Sequence, residues 1–239
     1  MDGLMATNIS HRGDRSSADQ PMYITLYPNS SNEDSVCENE IGNGLTTALD
    51  QLYEANATDY YQLDIRFDHP QKTDTAGVGY FHTKFREFWE EQYYNTEIGH
   101  HIAVSHEISG GESRSGNGGD QSAFVKSLTA VAGTEKLDSE DRADKSFYKN
   151  VAIHEALHGF IDYENSDVDD MTKDGGKEHE HDLGHVWGDH SSSPMITAYE
   201  GIHTSHGTCD DAPGHWGFYS TDLTNCTKDA VGSTGYSDR

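Results

Sequence analysis

Val151-Ala152-Ile153-His154-Glu155-Ala156-Leu157-His158-Gly159-Phe160-Ile161 is the stretch on which the reading of this chain turns. It contains His154-Glu155-x-x-His158. On a helix, residues four apart lie one turn apart on one face, so two imidazoles at this spacing can bind a single metal ion from one rigid element. Glu155 falls between them, placed to reach a water at that ion as general base. Ile153, Leu157, Phe160 and Ile161 recur at helical spacing beside the histidines. That apolar stripe argues for a buried helix and against two histidines that merely face solvent. Gly159 leaves room for another backbone to approach, and Asp141 and Asp144 suit a helix start, where free N–H groups favour negative charge.

Working outward, the 239 residues suffice for one large domain with a full core, although only 33 % are hydrophobic. No apolar run is long enough to span a bilayer. Lys and Arg number 16 against 42 Asp and Glu, a formal net charge of −26. A field of that sign repels nucleic acid and anionic membranes, so neither is an expected partner. Short acidic side chains outnumber long ones and Lys is scarce, as on the surface of a halophile, where salt screens self-repulsion. An acidic secreted protein of ordinary origin is the other reading. Of the three cysteines, Cys209 and Cys226 bracket a Gly/Pro/Asp-rich loop and are the natural disulfide pair, which points to an oxidising compartment. Cys37 is then left over, or pairs with one of them instead. The opening Met1-Asp2-Gly3-Leu4-Met5 shows no signal-peptide pattern.

Residues 1–20 are polar and Ser/Asp-rich and are expected to be disordered. Their Arg12-Gly13-Asp14 is too short a motif to carry meaning, and Asn8, Asn29, Asn56 and Asn225 each begin an N-x-Ser/Thr triplet. Met22 to Tyr27 reads as a strand, Leu45 to Ala55 as a short helix, and Tyr61 to Phe67 as a half-buried strand. Asp74 to Tyr94 carries Phe81, Phe85, Phe88 and Trp89 at helical spacing, the pattern of a core-facing helix rather than a ligand groove. His101 to His106 is read as a strand, and as the cleft-edge strand to which extended substrate adds in zincin peptidases. Gly110 to Gly119 is expected to be a loop, and Asp120 to Ala132 a short helix. The Asp-rich Asp162 to Lys177 has part of a calcium-loop spacing but lacks its Gly and terminal Glu, and reads as a solvated insert.

A catalytic zinc needs three protein ligands and an open position. The cluster Glu178-His179-Glu180-His181-Asp182-Leu183-Gly184-His185 offers the third. A thermolysin-like spacing would select Glu178, whereas the compact HExxHxxGxxH form is excluded because Ile161 and Glu164 stand where its Gly and His belong. His185 rivals His181, since i and i+4 share a face if the segment is helical.

With His154-Glu155-Ala156, Glu180 to Gly184, Ser193 to Glu200, His206-Gly207-Thr208-Cys209 and Leu223 to Thr227, residues 154–230 resemble a family of secreted zincin-like proteins found mostly in fungi. The resemblance covers about the last third of the chain. It implies a zincin fold and an extracellular location, and it aligns His181 as the third ligand. The arrangement also looks like a metzincin with an insertion before the third ligand, as in leishmanolysin-type peptidases. By that likeness Pro194-Met195-Ile196 is the Met turn beneath the metal, and Tyr199 stabilises the oxyanion. Glu200 could orient a ligand histidine.

The expectation is an α+β, zincin-like chain, with a small mixed sheet, an active-site helix carrying HExxH and a loop-rich C-terminal subdomain. Residues 21–239 form one domain, with subdomains at about 21–161 and 162–239. Its expected activity is zinc-dependent (Zn2+) peptide-bond hydrolysis, with His154, His158 and His181 as ligands and Glu155 and Tyr199 as catalytic residues. It would be secreted and monomeric and would act on peptide or protein substrates. The competing reading is a non-catalytic secreted protein that keeps the zincin fold for binding or as a toxin.

Overall fold

A computed structural model describes residues 6–71, 77–93, 99–105, 111–115, 128–133, 141–161, 183–184, 193–195 and 220–233. Six strands, β1 (Thr7–Gly13), β2 (Pro21–Pro28), β3 (Tyr60–Ile65), β4 (His100–Ser105), β5 (Gly111–Ser115) and β6 (Leu128–Gly133), form one sheet in the order β1-β3-β2-β4-β6-β5. The inner four run parallel, while β1 on β3 and β5 on β6 are antiparallel edges. Among the described residues the helices are α1 (Asp34–Val36), α2 (Gly42–Glu54), α3 (Val78–Tyr93), α4 (Asp141–His158) and α5 (Asn225–Ser233), with a π-helical turn at Cys37–Ile41 joining α1 to α2. The fold is mixed α and β on a mixed sheet. Among the described residues no helix is long and apolar enough to cross a membrane.

The period of two along each strand divides the core. Ile24 and Leu26 of β2 and Ile102 and Val104 of β4 share a cluster with Leu45, Leu49 and Leu52 of α2 and with Val151, Ile153 and Leu157 of α4. The alternate residues Tyr27 and Ala103 meet Phe81, Phe85 and Trp89 of α3 on the opposite face. The aromatic stripe of α3 is core, as its spacing indicates. Strand β4 is buried along its whole length, as a central parallel strand covered on both faces must be. Helices α2 and α4 approach closely at Gly44, where a Cβ would stand 2.8 Å from both Cβ and Cγ of Lys149. Lys149 then pairs with Glu40 at 3.1 Å.

Three expectations are corrected here. The first is disorder before residue 21. Residues 7–13 form β1, tied down by Asn8 to Asp64 (2.9 Å) and by Arg12 to Asp50 and Glu54 (3.1 Å each), with the guanidinium over the Tyr53 ring. Polar side chains mimic disorder in composition, yet they suit a solvated edge strand whose stability comes from its ladder. Gly13, at φ 92°, makes the turn out of β1, and a Cβ there would stand 2.2 Å from the Asp59 carbonyl oxygen. Arg12 and Asp14 are engaged within the fold, Asp14 accepting hydrogen bonds from Ser16. The second correction moves the sheet edge: the His101 strand lies between β2 and β6, and the edge is β5, inside the Gly/Ser-rich stretch read as a loop. An edge strand needs little apolar surface, so composition hides it. The third replaces the end of the helix expected at Asp120 to Ala132, since Leu128–Gly133 is β6. The Asp162 to Lys177 segment lies outside the described residues.

His101 sits on the α3 side of β4, hydrogen-bonded through Nδ1 to Tyr27 Oη (3.0 Å) and packed on Trp89 at 4.9 Å between ring centroids. Burial lowers its pKa from 6.5 to about 3. An unfolded histidine takes up its proton near 6.5, so this group's contribution is complete above that pH and is lost as pH falls towards 3. His101→Gln keeps a polar partner for Tyr27 but cannot titrate. In chemical denaturation it should lose about 2 kcal/mol less stability than the wild type between pH 7 and pH 5. Equal losses in the two proteins would mean that His101 is not held neutral.

Candidate metal centre

The last two turns of α4 bring His154, Glu155 and His158 together, with their ligand atoms all within 4.8 Å of one another. His154 and Glu155 are 2 % and 3 % exposed, and His158 is half-buried. The imidazoles stand nearly perpendicular, at 86°, with their Nε2 atoms 2.8 Å apart.

His154 Nδ1 lies 2.6 Å from the Pro194 carbonyl oxygen. A carbonyl only accepts, so Nδ1 carries the proton and Nε2 is left with its lone pair, which is the metal-binding tautomer. His158 Nε2 faces that lone pair. Either it donates a proton to it, or the two nitrogens turn their lone pairs on a shared cation. Two convergent imidazoles with a carboxylate beside them fit zinc by donor chemistry and by the spacing along α4.

The surroundings hold this end of α4 in place. Gly159 N–H donates to Ala156 O (3.1 Å), and Phe160 N–H and Ile161 N–H both donate to Leu157 O (2.8 and 3.1 Å), which closes the helix. Ser193, Pro194 and Met195 are buried in a turn, and Met195 belongs to the same core cluster as Ala152 and Leu157. Leu183 is also buried, and its carbonyl accepts from the hydroxyls of Thr224 and Thr227 at the start of α5. Thr227 N–H donates to Thr224 Oγ1 (3.0 Å), so Thr224 caps α5, a helix not anticipated from the sequence. Gln51 and Asn150 tie residues 220–223 to α2 and α4.

The structure therefore brings together His154, Glu155 and His158. His181, Tyr199, Glu178, His185 and Glu200 lie outside the described residues. Two contacts were not foreseen in the sequence, although the resemblance places Pro194-Met195-Ile196 beneath the metal. One is the Pro194 carbonyl, 40 positions from His154; the other is His100, whose Nδ1–H donates to the Ala156 carbonyl (3.0 Å) from 56 positions away. No short-range pattern could have shown either. His100 is fully buried, and desolvation lowers its pKa to about 3, so it is neutral. Cys37 is a buried free thiol, and Cys226 is disulfide-bonded.

The chain matches no protein-family model, and no curated protein is significantly similar to it.

If His154 and His158 share a cation, zinc at 100 times its dissociation constant should stabilise the fold by about 2.7 kcal/mol. Thermal melts with zinc and with chelator measure this. The shift should vanish in His154→Ala and in His158→Ala, and a shift that survives in both would place the ion elsewhere.

Proposed function

We propose that the chain is a zinc-dependent peptidase of zincin-like fold. The observation that supports this best is the convergence of the His154 and His158 Nε2 atoms beside a buried Glu155, with the His154 tautomer set for metal binding. A purely structural ion would need the two histidines but not the intervening carboxylate. In this reading His154, His158 and His181 hold zinc. When bound, zinc would act as a Lewis acid and make water a nucleophile near neutral pH.

The chain's own groups do the rest. Glu155 accepts the proton of the attacking water and passes it to the leaving amine. Tyr199 donates its hydroxyl proton in a hydrogen bond to the developing oxyanion. Peptide or protein substrate adds to the sheet as an extended strand, a role best suited to β5, the last strand of the sheet among the described residues and one that α4 contacts. Secretion and a monomeric state belong to the same proposal. A Cys209–Cys226 disulfide belongs to it too, and a buried free Cys37 thiol is compatible with that pairing.

Glu155→Gln is the direct test. It should keep its zinc and its melting temperature while turnover of a peptide library falls at least about a hundredfold. Unchanged turnover removes Glu155 as general base; a folded, zinc-loaded wild type without turnover supports a binding protein instead. Metal analysis of His181→Ala, His185→Ala and Glu178→Ala assigns the third ligand. Zinc lost only with His181 is the expected result, and loss only with Glu178 would indicate a thermolysin-like arrangement.

A further inference from the structure

We propose that His100, on the central strand β4, is a positioning residue that sets the second histidine of the metal pair by holding the backbone of α4 between Glu155 and His158. This inference rests on the zinc reading above and adds a residue to it.

A helix leaves its last four carbonyls without their usual i+4 N–H partners. Helix α4 ends at His158, which puts the Ala156 carbonyl in this last turn. The group at Ala156 receives a tight bond from Gly159 N–H at 3.1 Å and a second from His100 Nδ1–H at 3.0 Å. His100 is 0 % exposed and Ala156 is 2 % exposed, so bulk water does not reach the pair. The imidazole therefore links the last turn of the metal helix to the sheet.

The anchor itself is rigid. His100 begins a strand paired on both sides, with Ile24 of β2 and with Leu128 of β6. Phe160, just beyond the helix end, stands edge-on to the His100 ring at 6.0 Å between centroids and limits its rotation. The site is thus held by two imidazole-to-carbonyl bonds of different purpose. His154 gives its N–H to Pro194, which orients the ring of the first ligand. His100 gives its N–H to Ala156, which places the backbone that carries the second. Metal sites need their ligands held to within about half an ångström, so a small rotation of this turn matters more to binding than to folding.

Two variants separate positioning from core filling. His100→Leu is apolar and cannot donate; His100→Asn can present an amide N–H near the position of Nδ1. Zinc affinity is measured by competition with a chromophoric chelator, and ligand geometry from the visible spectrum of the cobalt-substituted protein. The expected result is a ten- to hundredfold weaker affinity and an altered cobalt spectrum for His100→Leu, with both largely restored in His100→Asn. Should the leucine variant not fold, His100→Ala takes its place in the same comparison. Affinity and cobalt spectrum matching the wild type in the donor-less variant, with only its melting temperature lowered, would overturn the role of His100 alone. A folded wild type that binds no zinc would overturn the underlying zinc reading as well.

Discussion

At the end of α4, the imidazoles of His100, His154 and His158 and the Glu155 carboxylate lie in or against the apolar core, and the rest of the site follows from the need to satisfy them there. A buried polar group without a partner costs roughly 1–3 kcal/mol, so each must find one. Two of the imidazoles are served by backbone carbonyls, at Pro194 and Ala156. The bonds that satisfy these rings also fix their tautomers, which leaves His154 Nε2 as a lone pair aimed at His158. Burial and reactivity thus have one cause. The polar groups can be kept inside because the backbone supplies acceptors, and those acceptors come from separate parts of the chain.

The sheet makes this possible. Its parallel interior places β4 under cover on both faces, so that successive residues His100 and His101 enter different halves of the core. One meets the end of α4 and the other the aromatic layer of α3. Among the described residues the sheet ends at the antiparallel strand β5, which α4 contacts. Among the described residues several cations are engaged: Arg12 spans Asp50 and Glu54, Lys84 meets Glu87, and Lys149 meets Glu40. Such solvent-screened pairs contribute little to stability. They leave a net charge of −26 working against the compact state, a repulsion that dissolved salt screens.

The elements that periodicity revealed are those with an apolar face. Leu45, Leu49 and Leu52 marked α2, Phe81, Phe85 and Trp89 marked α3, and Ile153, Leu157 and Phe160 marked α4 and its end. The elements that composition concealed carry little such pattern. Strand β1 is polar because it is solvated, β5 is Gly/Ser-rich because it lies at an edge, and α5 starts from a threonine cap after a polar stretch. The misplaced edge has the same origin. A buried central strand and an edge strand can both be short and apolar, and neighbour order is not written locally.

By itself, the sequence determined that His154, Glu155 and His158 share one end of a buried helix. Helical period and the apolar stripe depend only on residues within a few turns of one another. Only the tertiary structure decided what surrounds them. Pro194 lies 40 positions away and His100 reaches Ala156 across 56, and which atoms meet over such distances is set by sheet order and packing. Local pattern brings the histidines and Glu155 to one helix end; the distant backbone and the central strand supply their partners, because a buried donor takes whichever acceptor the fold brings within reach.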